Sequence, residues 1–359
     1  MMLKKAVFFA VFTGLILVLG LGLLEFAMRA VHPPERDGGG GGYVDHGGYH
    51  VLPANASRFF ENEDGLRVEI KTDAQGLRNP AGLLGGADVV LAGDSFIIAQ
   101  NTPEDNTVAG RLRAAGVNVY NAGMDGFSTF NELNLLAKLL EESNPSVVII
   151  VFYLGNDLRD NYLGLGLRGG GDSGLRKSGG ARGGLMRACR ASVLCGMLYD
   201  RVYVMKIKKN VSDPYESYCL GEIYMYRSVP DETLRLVRQR TDAAFAAFAK
   251  LARERGFRPV VAGVPSKAQV YRSFREVSQC DIDSRAGAAA AEMISAGFSF
   301  DNPDAVVAGI AEKNGIEYHS LLPMFRDNAD RKIYYYLDRH WTADGQELAA
   351  DFVLRQILK

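Results

Sequence analysis

The chain lacks an excess of either charge. Among 359 residues, 41 Lys and Arg face 42 Asp and Glu, a net charge of −1. Nothing there would hold a polyanion, and no nucleic-acid partner is expected. The basic clusters at residues 206–209 and 235–240 read as solvated faces. Histidine and cysteine are scarce, at five and four. No Cys-x-x-Cys pair occurs, which argues against a structural zinc site, and neither a metal nor another cofactor is expected. The glycine-rich stretches never end in Gly-Lys-Ser/Thr, so a nucleotide phosphate loop is unsupported.

What is present begins with an uncharged run over residues 6–24, preceded by Lys4 and Lys5. Its length suits one bilayer crossing, and lysines before it place the N-terminus in the cytoplasm and the remainder outside. A cleaved signal peptide is the rival, but no clear Ala-x-Ala-like site follows the run. The expectation is therefore a single-pass anchor over residues 1–31, with an extracytoplasmic, periplasmic-side domain. Pro33, Pro34 and the glycines at 38–42 predict a tether over residues 32–50, with His46 and His50 as loop residues. Cys189, Cys195, Cys219 and Cys280 fit two disulfides in an exported domain or four buried thiols. Three pairings are open.

Residues 51–359 could form one large domain. Short apolar runs at 89–92, 117–121, 147–153, 259–263 and 316–319 read as strands. Helices are expected at 107–115, after Ser128, at 231–255 and from Thr342. In the third, Leu234, Val237, Thr241, Phe245, Phe248 and Leu251 keep helical spacing before Gly256. Strand followed by helix, repeated, implies an α/β fold with a mostly parallel sheet. The pattern breaks over residues 160–229, read as an insertion over the site because it carries six tyrosines, from Tyr199 to Tyr226.

Chemistry concentrates at four junctions. Gly93-Asp94-Ser95 follows the first strand, where open α/β sheets place their ligands. A second copy, Gly171-Asp172-Ser173, follows no strand and reads as loop. Asn121-Ala122-Gly123, with Gly126 nearby, follows the second strand, and Gly155-Asn156-Asp157 the third. Gly123 could be a plain turn glycine, and Asn156 a helix cap. Asp338-Arg339-His340-Trp341 precedes the last helix, putting a carboxylate two residues from an imidazole. Such a pair activates a serine hydroxyl.

These blocks resemble those of the SGNH (GDSL) hydrolase superfamily, in order and spacing, over roughly residues 86–160 and 257–359. The resemblance implies a flavodoxin-like three-layer α/β/α fold. It also implies Ser95 as nucleophile, His340 as general base and Asp338 as its orienting acid. The implied oxyanion hole is Ser95 N–H, Gly123 N–H and the Asn156 side chain. The family's last block usually has Asp three residues before His, where this chain has Leu337. The closer Asp-x-His-Trp resembles the membrane-linked polysaccharide O-acetyltransferase branch, the alginate-type acetylation proteins. Asp344 is the rival acid. An acyl ester substrate is expected, with an acetylated glycan as one form of it. The readings that follow are an esterase, an O-acetyltransferase acting on an envelope or exported polysaccharide, and a non-catalytic envelope assembly protein. His319 is read as structural and Tyr334–Tyr336 as strand. Ser266 and Lys267 are adjacent rather than helically spaced, so no Ser/Lys dyad is proposed.

Overall fold

The structure, a computed structural model, describes residues 42–164, 217–277 and 284–359 continuously, and scattered positions between residues 5 and 27. The chain divides into two compact units: Met1–Gly39 with Leu175–Ser212, and Gly40–Gly174 with Asp213–Lys359. In the first, the described positions between 5 and 27 are helical. No helix among the described residues is long and apolar enough to cross a membrane. Most of the expected anchor and most of the expected insertion lie outside the described residues.

The second unit opens with two hairpins, β1 (Val44–Asp45) with β2 (His50–Val51) and β3 (Ser57–Glu61) with β4 (Arg67–Lys71). The first corrects the loop reading of His50. Its ring packs edge-on to Phe127, and Nε2 donates to the Asp125 carbonyl at 3.0 Å.

Five parallel strands follow: β5 (Val89–Gly93), β6 (Val119–Gly123), β7 (Val147–Tyr153), β8 (Arg258–Val264) and β9 (Glu317–Ser320). Their spatial order is β6-β5-β7-β8-β9. Strand order reverses between β5 and β7, and that switch point is where doubly wound sheets bind ligands. Every residue of β5, β6 and β7 is buried, which their near-continuous apolar sequence requires.

Alternate residues feed two cores. Val90, Ala92, Val148 and Ile150 face one side with Leu135, Leu136, Phe245 and Phe248. Val89, Leu91, Ile149 and Val151 face the other with Leu112, Phe325, Leu348 and Val353. Helices thus cover both faces, giving the expected three layers. Each fully buried Leu, Val or Phe side chain stabilises by about 1.5–3 kcal/mol.

The helices end where their caps dictate. α1 (Ser95–Ile98) is a single turn after β5, and α2 (Val108–Ala114) starts at the Thr107 cap. α3 (Thr129–Leu139) opens on a capping box made by Ser128 and Asn131. α4 (Asp157–Leu163) follows β7. α5 (Glu232–Arg255) begins where Asp231 accepts from Leu234 N and stops at left-handed Gly256. α6 (Ala343–Phe352) follows Thr342. Helices Ser284–Ala296 and Asn302–Lys313 were not foreseen. Cys219 is disulfide-bonded, and its partner lies outside the described residues.

Residues 334–336 do not form the expected strand. Tyr334 makes an isolated bridge to Trp341, and Tyr335 N donates to His340 O at 2.9 Å. With Thr342 N donating to Ile333 O, this closes a hairpin-like loop whose tip is residues 336–339.

Candidate active site

The carboxyl ends of β5, β6 and β7 lie side by side, with Gly93 paired to both Gly123 and Val151. Ser95 emerges two residues past β5, in the first turn of α1. Asp94 caps that turn, its Oδ1 accepting from Phe96 N at 2.9 Å. This fixes the residue before the nucleophile and leaves the Ser95 side chain half-buried at the sheet edge.

The loop before α6 brings the base. His340 Nε2 lies 2.7 Å from Ser95 Oγ. Its Nδ1 lies 3.1 Å from each Asp338 oxygen. The carboxylate accepts a hydrogen bond from Nδ1–H, which holds the proton on that nitrogen and leaves Nε2 to accept from the serine. Arg339, between them, has φ 63°, a left-handed conformation uncommon for a residue with a side chain. That turn explains how a two-residue separation points both side chains at one another. Asp344 pairs instead with Arg331 at 3.4 Å.

His340 rests on aromatic rings. Its centroid is 5.0 Å from that of Phe96, which also meets Trp341 at 5.0 Å. Burial pulls the imidazole pKa down. The hydrogen bond and charge of Asp338, with Asp94 and Asp125, outweigh that, and the net direction is upward.

The oxyanion-hole residues divide. Asn156 sits at the start of α4 without making a capping bond, and lines a cavity of about 420 Å³ with Ser95, Gly126 and His340. Gly123 does not line it. Its N–H donates to Asn121 Oδ1 at 2.8 Å, and a Cβ there would meet Ile97 and Ile98 N at 2.6 Å. Gly123 lets β6 pack tightly against α1, a correction to its assignment as an oxyanion donor. Gly126, with φ 69° and open space around it, lines the cavity together with Gly155. A smaller cavity of about 200 Å³ is also lined by Ser95 and His340, with Phe60, Asn101 and Gln346. Asp125 borders both.

The fold is similar to those of solved ester-cleaving proteins. An acetyl xylan esterase is 12% identical with a TM-score of 0.38, covering 75% of this chain and 98% of its own. A member of the lipolytic G-D-S-L family from Veillonella parvula is 14% identical with a TM-score of 0.37, covering 76% and 98%. The psychrotrophic esterase EstA from Pseudoalteromonas sp. is 13% identical with a TM-score of 0.36, covering 76% and 97%. No family model matches the chain, and no curated protein matches it. At such identities the functional reading rests on this chain's own residues.

Several neighbours of the pair carry no sequence motif. Asn101 donates its amide to Asp338 Oδ2. Glu63 accepts from the backbone of the Asp338 loop. Asp94, which precedes Ser95, and Glu132, Asp157 and Asp160 are all buried carboxyls within reach of one another's charge. Burial, first of all, pushes Asp94 up to about 7 and Asp160 to about 6, and raises Glu132 and Asp157 well above the usual range. No group of His, Cys, Asp and Glu among the described residues is arranged to hold a metal ion.

Proposed function

We propose that this chain is a serine acyl hydrolase that cleaves a carboxylic ester through an acyl-Ser95 intermediate. The observation that carries this reading is the 2.7 Å approach of His340 Nε2 to Ser95 Oγ, with Asp338 on the other ring nitrogen. A serine hydroxyl is a weak nucleophile until a neutral imidazole accepts its proton. As Ser95 Oγ bonds to the ester carbonyl carbon, His340 takes the proton and the carbonyl π pair moves onto oxygen. The amide of Asn156, Ser95 N–H and the backbone at Gly126 face that oxygen. Collapse breaks the ester C–O bond, and His340 returns the proton to the departing alcohol. Water then repeats the sequence on the acyl-serine.

Cavities of about 200 Å³ and 420 Å³, both lined by Ser95 and His340, offer room for the acyl and alcohol parts of an ester. The decisive experiment is hydrolysis of an activated acetyl ester together with fluorophosphonate labelling. Ser95→Ala should lose both while keeping its fold. Unchanged turnover in that variant would remove the mechanism and favour a non-catalytic role.

A second reading is transfer of the acyl group to a sugar hydroxyl of an envelope polysaccharide. The two-residue Asp338–His340 spacing followed by Trp341 favours it. Incubation with acetyl ester and oligosaccharide distinguishes the two, since transfer yields acetylated sugar without matching free acetate. The proposed location is the extracytoplasmic side of a membrane, held by residues 6–24. Lys4 and Lys5 before that run and the disulfide-bonded Cys219 support it.

A further inference from the structure

The geometry points to Glu63, at the tip of the β3–β4 hairpin, as a positioning residue that sets Asp338 against His340. This rests on the serine-hydrolase reading above. Three successive backbone N–H groups, of Tyr336, Leu337 and Asp338, point the same way and form a small anion-binding nest. The Glu63 carboxylate fills it. Oε1 accepts from Tyr336 N at 2.9 Å, and Oε2 accepts from Leu337 N at 2.7 Å and Asp338 N at 3.0 Å.

Nothing apolar could do this work. Tyr336 and Leu337 are 71% and 67% exposed, so apolar burial does little to hold this part of the loop. Arg339 must at the same time hold a left-handed backbone between acid and base. An exposed dipeptide leading into a residue in a sparsely populated conformation would otherwise sample many alternatives. The hairpin tip is itself anchored on the rigid side of the site. Asn62 Nδ2 donates to Asn101 O at 3.0 Å and to Tyr335 Oη at 2.8 Å. Asn101 in turn donates to Asp338. Glu63 therefore ties the backbone of the catalytic acid, and Asn101 its side chain, to one framework. Although burial alone would raise the Glu63 pKa, these three N–H groups and Lys332 hold it low, so the carboxylate stays charged in weak acid.

The test compares wild type, Glu63→Ala, Glu63→Gln, Asp338→Asn and the Glu63→Ala/Asp338→Asn double variant on an activated acetyl ester. Glu63→Ala should lower kcat by ~10–100-fold with KM little changed, because the reacting groups are misplaced rather than lost. Its acidic pH limb should move to lower pH, since His340 loses part of the influence of Asp338. Glu63→Gln, with one acceptor oxygen left, should fall between. In the Asp338→Asn background the same Ala substitution should have almost no further effect, as expected when one residue acts through another. Equal losses in both backgrounds, or an unmoved pH limb, would overturn the inference. Should Glu63→Ala fail to fold, the pH limb of Glu63→Gln decides alone. Ser95→Ala in the same assay tests the parent reading separately. If it is inactive while both Glu63 variants match wild type, only the role of Glu63 falls.

Discussion

Ser95 Oγ and His340 Nε2 meet at 2.7 Å although 245 residues separate them along the chain. Two different parts of the fold make the contact. Ser95 is fixed by the end of β5 and the Asp94 cap, whereas His340 hangs from a loop closed by backbone bonds between Ile333 and Thr342 and between Tyr335 and His340. Nucleophile and base can therefore be perturbed independently.

Asp338→Asn should leave the architecture intact and reduce kcat by as much as roughly 10⁴-fold, the loss seen when an orienting carboxylate becomes an amide. The pH dependence gives a second readout. His340 must be neutral to act as base, and its pKa lies above the ordinary 6.5, because Asp338 and the neighbouring carboxylates outweigh the opposing effect of burial. Wild-type kcat/KM should rise with pH through a limb above 6.5. Asp338→Asn removes the largest raising contributions, so its limb should lie at lower pH. A limb that stays in place would mean that Asp338 is not the partner of His340.

Asn156→Ala should lower kcat by about 10²–10³, the usual cost of deleting one oxyanion donor, with little change in KM. The side chain makes no capping bond to α4, so thermal stability should be nearly unchanged. A loss of stability in step with activity would assign Asn156 to the framework instead.

Gly123→Ala separates packing from catalysis at the end of β6. The added methyl would meet Ile97 and Ile98 N at 2.6 Å and push α1, which begins with Ser95. Overpacking of this kind costs typically about 1–3 kcal/mol. Both the melting temperature and kcat should fall. A variant that keeps the wild-type melting temperature would mean that the close approach of α1 is not what requires glycine at position 123.

The sheet was legible because its strands are buried on both faces. Residues 147–153 are apolar without interruption, and they form β7 over those positions. The helix from 232 to 255 was equally plain from the spacing of Val237, Thr241, Phe245 and Phe248. Ser95, Asn156, Asp338 and His340 stand out as candidates because each follows a strand or precedes a helix, and the structure brings those junctions to one cavity. Glu63 carries no such mark. It stands in a polar hairpin turn, and its partners are backbone N–H groups more than 270 residues away, which no side-chain pattern encodes. Gly123 misled for a related reason. A turn glycine can admit a ligand or a neighbouring backbone, and only the position of α1 reveals which. Three successive tyrosines at 334–336 suggest a half-buried strand, yet Tyr334 and Tyr335 are buried in a loop that Tyr334 bridges to Trp341.

Glu132→Gln should stabilise the protein in neutral and alkaline solution. Glu132 is fully buried on α3, and neither carboxyl oxygen has a hydrogen-bond partner among the described residues. Desolvation first, and then the charge of Asp94, raises its pKa well above the usual range. The sign follows from proton binding. A carboxyl whose pKa is raised by folding holds its proton in the native state while the unfolded chain releases it. Stability is therefore unaffected below about pH 4, where both states are protonated, and declines as pH rises from the unfolded pKa of about 4.3 toward the higher native one. Gln has nearly the same shape and never ionises, so this decline disappears from position 132, and Asp157 also loses a repulsive neighbour. The difference in melting temperature between variant and wild type should be close to zero near pH 4 and grow to ~2–4 °C or more by pH 8. A difference that does not change with pH, or that favours wild type at pH 8, would mean that Glu132 is ionised and compensated where it lies.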